Sequence, residues 1–226
     1  MRSNLKTILA AAAVAVSAAF FCLGTAQASY TFGANGIGTG TFTIGDKTFD
    51  SFSCTGSNCA GVFYDPMAGG AFGARFNPGA ALNLFGPGSN DVLLGFHVST
   101  TDGSFRIADF FLTSNAFASG TGVVGDLLEV CADAACTIPI LTATFMSGNG
   151  FSFPDTAFFG NAHYNSVWIF DDLTTDVAAG STGIATLSRL DKAVTQVPRQ
   201  VPEPASLLLV GAALVGLGFV RRRRLN

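Results

Sequence analysis

The sequence predicts an all-β protein: one β-sandwich of jelly-roll type, held between two membrane-active ends. Three observations carry this. Phenylalanine is abundant, at 22 of 226 residues, while 27 glycines and many Ser, Thr, Asn and Asp residues recur at short intervals. No long apolar period of 3.6 residues appears between the ends, whereas short alternating runs do. Uncharged apolar runs with basic flanks close both termini.

The N-terminus places Arg2 and Lys6 before an apolar run over residues 8–23, followed by Ala26-Gln27-Ala28. A charged region, a short apolar region and an Ala-x-Ala site are the three parts of a secretory signal peptide, here residues 1–28, cut by signal peptidase. Cys22 is not a lipidation site on this reading, because bulky Phe20 and Phe21 precede it where a lipobox needs small residues.

Residues 29–190 form the predicted sandwich. Strands are expected at residues 40–44, 61–64, 71–76, 92–99, 105–112, 126–131, 138–145, 163–170 and 183–190. In the seventh of these, Leu141, Ala143 and Phe145 face one way and Thr142 and Thr144 the other. Tyr164, Trp168 and Phe170 likewise share one side of the 163–170 run. Asn77-Pro78-Gly79, Gly86-Pro87-Gly88, Thr101-Asp102-Gly103 and Ser147-Gly148-Asn149-Gly150 supply turns. Many short strands at this spacing mean a sandwich. The pattern stops after Leu190, so residues 191–200 are expected to be a linker.

The segment between the ends is acidic. Over residues 29–198 fourteen Asp and Glu residues face five bases (Lys47, Arg75, Arg106, Arg189, Lys192), a net −9 that the basic ends mask in the overall −3. Such a domain repels phosphate backbones, which argues against a nucleic-acid partner.

After signal cleavage four cysteines remain: Cys54, Cys59, Cys131 and Cys136. Four cysteines allow three pairings, and an oxidising envelope favours disulfides over thiols. Local bridges, Cys54 with Cys59 and Cys131 with Cys136, are preferred over cross-linked ones because short loops close easily. A four-thiolate zinc site is disfavoured by export.

No residue set announces catalysis. His97 and His163 are the two histidines, no Gly-x-Ser-x-Gly elbow is present, and each histidine reads as a strand residue bonded to a neighbour or to water. Asp171-Asp172-Leu173-Thr174-Thr175-Asp176 is the densest acidic stretch; lacking glycine punctuation, it reads as a solvated turn rather than a calcium loop. Trp168, Tyr164 and Tyr64 could stack on sugars if exposed, but aromatic strand residues are more often core, and Trp168 is read as a core plug. No cofactor or metal is expected.

The tail begins with Pro202-Glu203-Pro204, an extended spacer because proline lacks an N–H and restricts its predecessor. Residues 205–220 then carry no charge; at about 1.5 Å per residue they span roughly 24 Å, short of a hydrocarbon core of about 30 Å. Arg221, Arg222, Arg223 and Arg224 follow and hold the inner side of the membrane. This order at residues 201–226 resembles the PEP-CTERM sorting signal of Gram-negative bacteria, a segment also labelled ice-binding protein C-terminal domain. The resemblance implies recognition of Pro202, Glu203 and Pro204 by an exosortase, a temporary transmembrane anchor over residues 205–220, a stop-transfer block at Arg221 to Arg224, and delivery to the cell surface or exopolysaccharide matrix. The expectation is a non-enzymatic exported protein, structural or adhesive; the alternative is a carbohydrate-binding module acting in that matrix.

Overall fold

In a computed structural model of the chain, residues 29–56, 59–67, 72–147, 156–158 and 162–199 are described. The expected signal peptide, the sorting motif, the anchor helix and the arginine block lie outside these residues.

Among the described residues, strands are the regular elements apart from one 3-10 turn, Cys59–Gly61. In chain order the strands are β1 (Tyr30–Thr31), β2 (Phe42–Ile44), β3 (Lys47–Gly56), β4 (Phe63–Pro66), β5 (Phe72–Asn77), β6 (Asn83–Phe85) and β7 (Gly88–Thr100). There follow β8 (Phe105–Gly120), β9 (Gly122–Cys131), β10 (Pro139–Ser147), β11 (Thr156–Phe158), β12 (Ser166–Val177) and β13 (Gly183–Pro198). They make two antiparallel sheets: β1-β4-β5-β13-β8-β11, with β6 also on β13, and β10-β9-β12-β7-β3-β2. The chain crosses between sheets at β7 to β8 to β9 and again at β11 to β12 to β13.

The sheets pack through aromatic side chains. From the six-stranded sheet come Phe49, Phe52 and Phe96; from the seven-stranded sheet Tyr64, Phe76 and Phe110; all are buried. Phe52 is the hub, its ring centroid 4.0 Å from Tyr64, 5.6 Å from Phe96 and 6.1 Å from Phe76. Each buried aromatic ring contributes roughly 1.5–3 kcal/mol of transfer free energy, so these rings outweigh any surface ion pair. That is why a phenylalanine-rich, charge-poor chain can hold a sandwich.

Several sequence expectations change. Residues 191–198 are not linker: β13 runs through them, because their polar side chains are satisfied rather than solvated. Arg75 holds Asp191 through two bonds of 2.7 and 2.9 Å, Lys192 lies wholly buried, and Gln196 accepts from Lys47 Nζ at 2.5 Å. Residues 171–176 are not a turn either. They continue β12, with Asp171, Leu173 and Thr175 buried and Asp172, Thr174 and Asp176 outward, so their carboxylates do not converge as a calcium loop requires. β1, β3, β6 and β11 were not anticipated.

The cysteines adopt the local pairing. Cys54 bonds Cys59 with Cα atoms 5.7 Å apart, and Cys131 bonds Cys136 at 5.1 Å. Each closes a short loop, so it constrains a turn more than the fold.

Candidate functional site

β12 sets the phase of the six-stranded sheet. Val167, Ile169, Leu173 and Val177 point into the sandwich, and strand alternation therefore sends Trp168, Phe170, Asp172 and Thr174 to the outer face. Trp168 is thus not a core plug. The core is already filled by phenylalanines from β3, β5, β7 and β8, and the aliphatic residues beside Trp168 take the inward positions. Trp168 and Phe170 are half-buried, their centroids 6.4 Å apart and their planes within 11° of parallel, a strip of two rings tilted alike.

The neighbouring strands supply what surrounds the strip. Across the sheet Trp168 stands between His97 on β7 and Cys131 on β9; Phe170 between Gly95 and Glu129; Asp172 between Leu93 and Leu127. Gly95 is needed there, because a Cβ would lie 3.0 Å from the Phe170 ring and 2.6 Å from Ser53 Oγ. Its missing side chain is the seat on which Phe170 rests.

His97 is held from two sides. Its ring lies 4.8 Å from that of Trp168, and its Nδ1 is 3.0 Å from Asp50 Oδ1. A β-bulge in β3 between Asp50 and Ser53 places this carboxylate, with Ser51 at φ 54°. Ser51 Oγ donates to Asp50 Oδ1 at 2.8 Å. The expectation that His97 is a strand histidine bonded to a neighbour is borne out: the neighbour is Asp50, and the Trp168 ring lies against its imidazole.

Carboxylates flank the rings. Asp172 sits above the usual carboxylate range, first because of partial burial, then through its hydrogen bond and charge interaction with Asp91, and further through Asp126 and Glu129. Burial disfavours the charged carboxylate first, and the neighbouring acidic groups add to it. Beside Trp168, the disulfide loop after β9 is fixed by Asp133. Its carboxylate accepts from the N–H groups of Ala135, Thr137 and Ile138 at 3.0, 3.1 and 2.9 Å, and from Thr137 Oγ1 at 2.8 Å. These bonds, Thr137 foremost, hold Asp133 below its ordinary range.

Other candidates fall elsewhere. Tyr64 is core: its hydroxyl donates to Gly40 O and accepts from Gly40 N–H, both at 2.9 Å, and burial pushes its ionisation upward. Tyr164 bridges Ile107 ahead of β12, and His163 is exposed beside it. Neither joins the strip. Glu129 and Asp91 belong to the site although nothing in the sequence singles them out; the outward register of β12, which already aligns Phe170 with Trp168, is the signal that locates them.

A second concavity, of about 500 Å³, lies on the seven-stranded sheet between Met67, Phe72, Phe111, Thr113 and Asp191. Its carboxylate is already engaged by Arg75 and approached by Arg189 at 3.6 Å, so it offers mainly apolar contact.

Residues 200–224 match the family described as the PEP-CTERM protein-sorting motif, as the Pro-Glu-Pro, apolar and arginine segments indicated. No curated protein matches the chain. Among solved structures, TmCBM61 in complex with β-1,4-galactotriose is 11% identical at a TM-score of 0.31, over 65% of this chain and 88% of that one. The family 11 xylanase from Neocallimastix patriciarum is 12% identical at a TM-score of 0.29, over 75% of this chain and 100% of that one.

Proposed function

We propose that this chain, which carries a PEP-CTERM sorting motif at residues 200–224, is an exported, exosortase-processed protein of the cell surface or matrix whose six-stranded sheet binds a saccharide through its outer face. One observation supports the saccharide reading above the others: Trp168 and Phe170 lie side by side outside the core, with carboxylates and His97 within one strand of them. A pyranose presents apolar C–H faces and a rim of hydroxyls. Half-exposed rings stack on the faces, while Asp50, Glu129 and Asp172 accept from the rim. The acidic body suits neutral or basic glycans better than strongly anionic ones.

The role is binding, without catalysis. Trp168 is the chain's single tryptophan, so its emission reports directly on the strip. Titrating the purified protein with the producing cell's exopolysaccharide should shift that emission. Phe170→Ala should weaken binding by about tenfold or more, the effect of removing a central aromatic anchor, with thermal stability nearly unchanged. Undiminished affinity in a folded Trp168→Ala, Phe170→Ala double variant would sink the assignment of the strip. Release of reducing ends from the polysaccharide would show that the protein is an enzyme.

A further inference from the structure

Three charged side chains meet inside the sandwich. Lys192 reaches inward from β13 and donates to Asp126 Oδ2 at 2.9 Å and to Asp171 Oδ1. All three side chains are 0% exposed. Asp126 and Asp171 stand diagonally on adjacent strands, Asp171 opposite Leu128 and Asp126 opposite Leu173. The lysine thus crosses from one sheet to two strands of the other. The Phe110 ring covers Nζ at 5.5 Å from its centroid.

As ions these groups are poorly served. One ammonium faces two carboxylates in an apolar interior, and Asp126 Oδ1 and Asp171 Oδ2 have no hydrogen-bond partner among the described residues. Buried charge is tolerated when geometry and hydrogen bonds compensate for lost water, and here half the carboxylate oxygens go unserved.

We propose that Lys192 and Asp171 condense into an intramolecular isopeptide bond, with Asp126 as proton acceptor, so that β13 is tied covalently to β12 across the core. The amine must be deprotonated and the carboxyl must carry its leaving hydroxyl. Asp126 takes one proton from the Lys192 ammonium. The freed lone pair attacks Cγ of Asp171, whose carboxyl burial pushes up to about 7 against the opposing charge of Lys192, so that much of it is the neutral acid at physiological pH. The C–N bond forms, the C–OH bond breaks, and the hydroxyl leaves as water with a second proton from nitrogen. The first proton stays on Asp126, which then donates to the new amide oxygen. An ammonium, a carboxylate and a carboxylic acid become an amide, a carboxylic acid and water: charge balances, and no oxidant, nucleotide or metal is required. Contact between the reacting groups, fixed by the two sheets, supplies the proximity that the condensation needs.

The bond is sought in the full-length protein expressed in its exporting host. Denatured and digested with trypsin, it should leave Lys192 uncut and yield residues 107–189 joined to residues 190–199, lighter than their sum by one water. Lys192→Arg should lose the branch. Asp126→Asn, close in shape to the native side chain, should remain folded by its tryptophan emission yet also lose it. Cleavage after Lys192 in wild-type protein that had been folded before denaturation, giving residues 107–189, 190–192 and 193–199 as separate peptides at full mass, overturns the bond. A branched peptide persisting in folded Asp126→Asn removes Asp126 from the mechanism.

Discussion

Phe52→Ala is the sharpest test of the architecture. Phe52 is 2% exposed, and four rings surround it: Tyr64 at 4.0 Å, Phe42 and Phe96 at 5.6 Å, and Phe76 at 6.1 Å. Truncation removes the ring's transfer energy, opens a cavity between the sheets, and discards ring–ring contacts. Deletion of a buried phenylalanine costs about 3–5 kcal/mol. Tyr64 and Phe76 belong to one sheet and Phe42 and Phe96 to the other, so neither sheet can collapse into the gap without moving its partner. The upper half of that range is therefore expected. For a domain of this size each kcal/mol lowers the melting temperature by about 2–4 °C, so 4 kcal/mol corresponds to a drop of roughly 8–16 °C. Urea titration followed by far-UV dichroism gives the loss directly, and an unchanged slope shows that the unfolded state was not altered. Phe85→Ala is the control: that ring is 77% exposed and its removal should stay within about 0.5 kcal/mol. A Phe52→Ala loss below about 1 kcal/mol, or one matching the control, would mean that the sheets do not meet through this ring.

Two further outcomes are expected. Tyr64→Phe deletes the hydroxyl that both accepts from and donates to Gly40; a loss of about 1–2 kcal/mol in unfolding free energy by urea titration is expected, and no change would mean that water replaces both bonds without penalty. Asp172 holds its proton more tightly when folded than when unfolded, so the native state binds more protons between the ordinary carboxylate range and the raised value. Stability from this group is therefore greatest at low pH and falls as pH rises through that window. Asp172→Asn should remove the fall and stabilise the neutral-pH protein by about 0.2–1 kcal/mol, as for solvent-screened charges; identical pH profiles for the two proteins would refute the raised ionisation of Asp172.

How legible the fold was depended on whether a strand's polar residues had partners in sequence or only in space. β10 could be read directly, since Leu141, Ala143 and Phe145 pack against the interior while Thr142 and Thr144 face out. β3 could not. Phe49 and Phe52 both point inward although three residues apart, because the bulge between Asp50 and Ser53 shifts the alternation. The second half of β13 was hidden for another reason. Asp191, Lys192 and Gln196 look solvated in sequence, and their partners Arg75, Asp126, Asp171 and Lys47 lie on distant strands. The candidate site was half visible: the alternation put Trp168 and Phe170 on one side, but the direction of that side required knowing that Asp171 points inward to Lys192. The cysteine pairing was legible because loop closure is a local property.

The position of β13 gives those polar residues a common purpose. It is the last described strand, ending at Pro198, two residues before the sorting motif begins at residue 200. Were the protein held by its tail, load would enter the fold at this strand first. β13 is hydrogen-bonded to β8 along one edge and to β5 and β6 along the other. A pull along its axis must shear both ladders together, which resists force better than unzipping one bond at a time. Backbone ladders hold β13 only within its own sheet, however. Attachment to the other sheet falls to its inward side chains: Ala185, Leu187, Leu190 and Val194 in the apolar core, Gln196 to Lys47 on β3, and Lys192 to Asp126 on β9 and Asp171 on β12. The polar bonds add a direction to that attachment, which apolar burial by itself does not supply. Residues that made the segment resemble a linker are those that stop it from moving as one.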